Sequence, residues 1–461
     1  MTHLLIIGGS DAGISAALRA RELDSSVEIT IVLADNFPNY SICGLPFYLS
    51  GEVSDWRNLA HRKTEDITQQ GIHLLMNHWA EAIDPAQKIV TVKTPNGQRQ
   101  MLHYDKLIIG TGGTSVSPPI EGLDLPGVYP LRWMADSFAV QKHLTDQVPQ
   151  HAVIIGAGYI GLEMADALTL KGLSVTLIQR SASVLKTVDF SLSQLVTNEL
   201  ERRGIEVITG VTINRIEPKE ERLLVADSNS FERATDLVIV AVGVNPATQL
   251  AQTAGITLGI RGAIQVSRRM ETNFPDIYAA GDCAETYHRI LGQNTYLPLG
   301  TTAHKQGRIA GENAIGGNRE FQGSLGTQVV KIFEVAAART GLRDDDATAA
   351  GFEPMTVEIE VWDHKVYYPG AHSLRIRVTG DCASGRLLGA QIAGHYQGEV
   401  AKRIDIFATA LFHGMTVNDL SDLDLSYTPP LSSPWDAVQM ATQGWTKQFS
   451  EFSKQEVLLH L

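Results

Sequence analysis

The chain has 461 residues, enough for about three domains at ~150 residues each, and its apolar fraction of 44% is ordinary for a globular protein. A formal charge of −13 leaves no electrostatic footprint for nucleic acid or an anionic membrane, so neither is expected as a partner. Three cysteines, none in Cys-x-x-Cys spacing, exclude a disulfide framework and fit a reducing compartment. No apolar run approaches the ~20 residues of a membrane span, and a strand beginning at Leu4 leaves no room for a signal sequence. A cytoplasmic protein is expected.

The short apolar run Leu4–Ile7 predicts a buried strand, the Ala-, Leu- and Arg-rich Gly13–Leu23 a helix, and the β-branched Val27–Leu33 a second strand. Leu102–Gly113 reads as a strand ending in a glycine turn, and Ser115–Pro119 as a linker. The pattern restarts at His151 with strand Val153–Ile155, helix Gly161–Gly172 and strand Ser174–Ile178. A further strand, Asp236–Val242, ends in Gly243-Val244-Asn245-Pro246. Asn273–Ala284 predicts a strand ending in Gly281-Asp282, with a helix over Thr301–Ile315. Beyond Gly323 no glycine-rich phosphate loop occurs; strands Thr356–Val361, Leu374–Val378 and Leu387–Ile392 and helix Glu399–His413 predict a mixed-sheet α+β domain suited to an interface.

Each βαβ unit carries a glycine loop between its first strand and its helix. Such a loop lets the backbone approach a pyrophosphate, and the helix N-terminus supplies unpaired N–H groups. The first loop has Gly8, Ser10 and Gly13, serine standing in the middle position. The second is complete, with Gly156, Gly158 and Gly161. One such loop is weak evidence; two, each in strand–turn–helix context, are strong. Asp35, just past the second strand, is the nearest carboxylate for a ribose of the first nucleotide. The equivalent strand in the second unit ends Gln179-Arg180-Ser181, with no acid to bind a 2′-hydroxyl. Arg180 and Ser181 instead suit a 2′-phosphate, favouring NADPH or tolerance of NADPH and NADH; the alternative is a solvated arginine. Asp282 suits a ribityl hydroxyl of a flavin. Thr111, Gly112, Gly281, Gly243 and Glu163 complete the candidate cofactor-binding residues. Two nucleotide sites and the lone Cys43, in Ser41-Ile42-Cys43-Gly44-Leu45-Pro46, imply a relay from nicotinamide to flavin to sulfur.

These segments, with Tyr104–Gly113, Gln306-Gly307-Arg308 and Tyr427-Thr428-Pro429-Pro430, resemble the FAD-dependent pyridine nucleotide–disulfide oxidoreductases over nearly the whole chain. Within them the chain is similar to the single-cysteine branch of coenzyme A disulfide reductases, NADH oxidases and peroxidases, and persulfide reductases. The resemblance implies an α/β fold with two Rossmann-like domains, for FAD (1–115 and 250–322) and NAD(P)H (116–249), and a C-terminal α+β dimerisation domain (323–461). It implies a homodimer in which the C-terminal domain lends residues to the partner's site. It gives Cys43 the role of forming a mixed disulfide or sulfenic acid at the flavin, with a thiol pKa expected to be lowered by a helix N-terminus or positive charge. Tyr427, and Tyr367 or Tyr368, would then protonate or position a leaving thiolate; the plainer reading is aromatic packing. Cys283 reads as packing, and Cys382 falls in a predicted turn.

Three departures stand out. Oxidases and peroxidases of the branch carry histidine where this chain has Asp11, which argues against oxygen or peroxide chemistry. Coenzyme A disulfide reductases carry Asn and Ser where this chain has Ile42 and Asn39. The ribose acid of the family falls at Leu33, leaving Asp35 as the substitute. Asp11 either caps the turn at its helix start or lies beside Cys43, raising the thiol's pKa or donating a proton. The histidines lack metal spacing; His395 is either a surface residue or part of a substrate site. The expected function is an NAD(P)H-dependent flavoprotein reductase of a low-molecular-weight disulfide or persulfide. The alternatives are an NAD(P)H oxidase, or an electron-transfer or redox-sensing flavoprotein in which Cys43 is incidental.

Overall fold

The computed structural model describes residues 2–459. Strand His3–Ile7 lies at the centre of a five-stranded parallel sheet, flanked by Glu28–Val32 and Ile72–Leu75 on one side and by Lys106–Ile109 and Ile277–Ala279 on the other. Leu4, Leu5 and Ile6 are fully buried, as strands covered by helices on both faces must be. Each such side chain contributes about 1.5–3 kcal/mol of transfer free energy. The predicted strand at Leu102–Gly113 is two elements. Arg99–His103 belongs to an antiparallel sheet with Trp79–Asp84 and Ile89–Lys93, and the chain breaks at Tyr104-Asp105 before entering the parallel sheet. No glycine or proline marks that break; Asp105 N–H donates to His3 O at 3.0 Å and starts the new register.

A second parallel sheet runs Glu206–Thr209, Ser174–Gln179, His151–Ile155, Leu237–Val240, Val128–Pro130. The two chain crossings between the units run side by side, Gly113–Ser115 pairing antiparallel with Val244–Pro246. Five strands from Gln328–Ile332 to Leu387–His395 form the third sheet, and every neighbouring pair is antiparallel, not mixed. The hairpin connections after Ile332 and Asp381 are short, which antiparallel neighbours permit, whereas residues 363–372 form a longer one. Helices Val400–His413 and Ala437–Leu459 cover it. Asp166, on the second unit's helix, accepts from Phe333 N at 2.8 Å and docks this domain. No helix among the described residues is long and apolar enough to cross a membrane.

Candidate active site between the two dinucleotide units

The first glycine loop is dictated by backbone crowding. Gly8 adopts φ +109°, and a Cβ there would lie 2.0 Å from Gly110 O. The helix behind it, Asp11–Leu23, begins at Ser10, whose side chain caps nothing. Its first N–H groups are therefore free to meet an anion. The second loop repeats the arrangement: a Cβ on Gly161 would lie 1.8 Å from Gly156 O, whereas one on Gly158 would meet nothing within 4 Å. Gly161 is required by helix–strand packing, and Gly158 leaves its open side toward the cavity. Helix Tyr159–Leu170 has no side-chain cap either.

Both loops open into one continuous cavity of about 2080 Å³, which Cys43 also lines. Cys43 sits in the turn Ile42–Gly44 just before helix Leu45–Ser50. Leu45 and Leu49 are fully buried in the core of the second unit, with Leu162 and Leu168, so the thiol stands where the two units meet. Asn39 fixes the segment from the other end: its N–H donates to Gly9 O at 2.8 Å, and its carbonyl accepts from His61 N at 2.9 Å. The expectation of a lowered thiol pKa is overturned. Burial pushes the Cys43 thiol up, and the carboxylates of Glu163 and Asp11 add to this against the opposing Arg132 guanidinium.

Of the other expected residues, Ser10, Asp11, Gly112, Gly156, Gly158, Glu163, Arg180, Ser181, Gly243, Gly281 and Asp282 line the same cavity. Gly8, Gly13 and Gly161 lie behind its wall and shape the loops. Asp35 does not reach it. Its Oδ1 accepts from Phe37 N at 3.0 Å, closing a local turn, and Leu33 packs where a Cβ on Gly9 would stand. Thr111 faces the crossing strands, its hydroxyl donating to Ala247 O at 2.7 Å. Asp11 caps no backbone N–H; its Oδ1 lies 3.3 Å from His304 Nε2, and burial raises its pKa against the neighbouring histidines. Burial likewise pushes Glu163 up to about 7. Tyr367, Tyr368 and Tyr427 are exposed on the C-terminal domain and line no part of this chain's own cavity. Slight desolvation and the hydrogen bond with the adjacent Tyr427 hold the Tyr367 phenol above its ordinary value. His395 stacks on His372 at 3.8 Å, away from the cavity. Cys283 is buried, its Sγ 3.4 Å from Ile109 O and from Ala280 O.

Four residues that the sequence reading passed over belong to the site. Arg132 Nη2 pairs with Asp282 Oδ2 at 2.8 Å. Gln306 Oε1 accepts from Gly281 N at 2.9 Å and locks the turn that carries Asp282. Gln179, where an acid was missing, accepts from Ala157 N at 3.1 Å and donates to Ser181 Oγ at 2.7 Å. His304, one of several scattered histidines in the sequence, meets Asp11. Gln306 stood in a motif and Gln179 at the strand end already noted for lacking an acid; Arg132 and His304 become legible once helices and strands are in place.

The pyridine nucleotide-disulphide oxidoreductase profile matches residues 2–307, and the profile of that family's dimerisation domain matches residues 327–438. The chain is 34% identical over 438 residues to an NAD(P)H sulfur oxidoreductase (CoA-dependent) of Pyrococcus furiosus, covering 94% of this chain and 97% of that one. It superposes with TM-score 0.93 and 35% identity on an NAD-dependent persulfide reductase from A. fulgidus, covering 97% of this chain and 84% of that one. It also superposes with TM-score 0.93 and 26% identity on an engineered water-forming NADPH oxidase bound to NADPH, derived from the NADH oxidase of Lactobacillus brevis, covering 98% and 100%. The substitutions that define that variant create consecutive Ala-Arg-Ser, with a second arginine five residues after the serine. With two uncapped glycine-loop helices, a lone thiol between them and both profiles matched, the chain belongs to the pyridine nucleotide-disulphide oxidoreductase family.

Proposed function

We propose that the protein is an NADPH-preferring, FAD-dependent reductase of low-molecular-weight disulfides or persulfides, working as a homodimer. The observation that carries the reading is the position of Cys43, open to the cavity that both glycine loops share. The site fits FAD. The uncapped Asp11–Leu23 helix start and the Gly8–Gly13 loop would hold the pyrophosphate, and Asp282, oriented by Arg132 and Gln306, the ribityl chain. FAD held there would supply the two-electron chemistry that links reduced nicotinamide to sulfur. Cys43 forms the bond to substrate sulfur, and Glu163 lines the cavity from the helix behind the second glycine loop. Tyr427 and Tyr367, exposed on the dimerisation domain, complete the partner's site and position the thiolate released there.

Preference for NADPH rests on the end of strand Ser174–Gln179. Gln179-Arg180-Ser181 followed by Lys186 reproduces the Arg-Ser pair and the later cation of the engineered NADPH oxidase at the same spacing. Arg180 is exposed at the cavity and makes no ion pair among the described residues, so its guanidinium is free for a 2′-phosphate. Gln179 spends its amide on the glycine loop and Ser181, so no carboxylate repels that phosphate.

The test is Cys43→Ser in the holoenzyme. Disulfide and persulfide reduction should be lost while NADPH-driven reduction of a dye acceptor persists. Undiminished sulfur reduction in the variant contradicts the proposal.

A further inference from the structure

Helices Asp11–Leu23 and Gly300–Ala314 cross at backbone contact. A Cβ on Gly307 would lie 2.2 Å from Ala12 O, and one on Gly311 2.2 Å from Ala16 O. Only glycine permits that approach, and it brings the N-terminal side chains of the two helices together. His304 is held at both ring nitrogens: Nδ1 is 2.8 Å from Ser15 Oγ, and Nε2 is 3.3 Å from Asp11 Oδ1. The ring of His61 stands edge-on to His304 at 6.3 Å. Asp11, His61, His304 and Cys43 all line the cavity. The charged groups facing Asp11 are His304, His61, Asp282 and Arg132, and Asp11 in turn bears on the Cys43 thiol. The Asp11 carboxyl makes no capping bond, and no lysine or arginine pairs with it among the described residues.

We propose that Asp11 delivers the proton to the thiolate that leaves when Cys43 attacks its substrate, and that His304, steadied by Ser15, is the positioning residue that orients Asp11 and restores its proton. The proposal rests on the sulfur-reductase reading. In the step, Cys43 first gives up its thiol proton to solvent through the cavity; the thiolate then attacks one sulfur of RS–SR′, the S–S bond breaks, and Cys43–S–SR forms. R′S⁻ departs with the electron pair and takes the proton from the Asp11 carboxyl, giving R′SH and a carboxylate. The carboxylate regains a proton from the His304 imidazole side, which exchanges with solvent through the cavity. No electrons are needed for this exchange, and the atoms balance.

The test uses leaving groups of different basicity. Holoenzyme, Asp11→Asn, His304→Gln and Cys43→Ser are assayed with coenzyme A disulfide, whose alkyl thiolate needs a proton, and with a bis(nitrothiobenzoate) disulfide, whose anion leaves without one. The expected result is a loss of on the order of 10²-fold in kcat for the alkyl disulfide in Asp11→Asn and His304→Gln, with the aromatic disulfide changed less than about threefold. Asp11→Asn should also lower the pH midpoint of Cys43 alkylation by iodoacetamide, which a remote structural role would not do. Equal losses on both disulfides, no loss on either, or an unmoved midpoint overturns the proposal. His304→Gln keeps the test open if Asp11→Asn fails to fold. Retention of both activities in Cys43→Ser instead overturns the sulfur-reductase reading beneath it.

Discussion

Arg132 reaches from the segment before helix Met134–Gln147 to the Gly281-Asp282 turn, where its Nη2 lies 2.8 Å from Asp282 Oδ2 and its Nε donates to Gly113 O at 3.2 Å. One guanidinium thereby ties the crossing strand to the strand-end carboxylate. The pair is mostly shielded from solvent, so breaking it leaves a carboxylate without its cation. Arg132→Gln should cost about 1–3 kcal/mol of stability and release FAD on dilution. The check is the ratio of flavin to protein absorbance after gel filtration, with the melting temperature. Full flavin retention and an unchanged melting temperature would remove Arg132 from the site.

Glycines 158 and 161 make opposite demands. Gly161→Ala forces a Cβ against Gly156 O and should lower stability by about 1–3 kcal/mol. Gly158→Ala has open space on the protein side and an extended backbone any residue adopts, so its melting temperature should stay close to wild type. Its effect falls on KM for reduced nicotinamide, about tenfold for each ~1.4 kcal/mol of lost approach. A Gly158→Ala protein with lowered stability and normal KM contradicts this division.

Glu163, pushed up to about 7 by burial, holds its proton more tightly folded than unfolded. That contribution is fully present below the unfolded value of 4.5 and is lost as pH rises toward 7. Glu163→Gln does not titrate, so its melting temperature relative to wild type should climb between pH 5 and pH 8. The ceiling is about 3 kcal/mol, at ~1.36 kcal/mol per pH unit. The same variant should lower the pH midpoint of Cys43 alkylation, because Glu163 is the foremost carboxylate raising that thiol. A pH-independent difference in melting temperature contradicts the buried-acid account.

Arg180→Ala separates the cofactors. A charge-assisted contact to a 2′-phosphate is worth about 1.5–3 kcal/mol, so KM for NADPH should rise roughly 10- to 100-fold while KM for NADH stays within about twofold. Equal effects on the two would mean that Arg180 is a solvated charge.

The parallel sheets and both glycine loops were legible because their signals are local. Leu4–Ile7 and His151–Ile155 are apolar runs that lead into glycines at fixed offsets. Cys43 was legible from its flanking residues. The break at Tyr104-Asp105 was not, because a hydrogen bond to the distant His3 makes it. The shift of Asp35 out of the site follows from a turn closed two residues later by its own carboxylate, which competes with any ligand for the same oxygen. The raised Cys43 pKa could not be read from sequence, since Glu163 and Asp11 come from helices of different units. His304 was one histidine among fourteen until helix crossing at Gly307 and Gly311 placed it against Asp11.

The most direct test of the sulfur chemistry is covalent. Holoenzyme mixed anaerobically with a stoichiometric alkyl disulfide, without NADPH, is quenched in acid and weighed intact by mass spectrometry, with Cys43→Ser alongside. One adduct of half the disulfide is expected, mapped to the peptide holding Cys43, missing from the variant and discharged as free thiol when NADPH is added. Turnover of the disulfide with no adduct on Cys43, matched by equal turnover in Cys43→Ser, would contradict it.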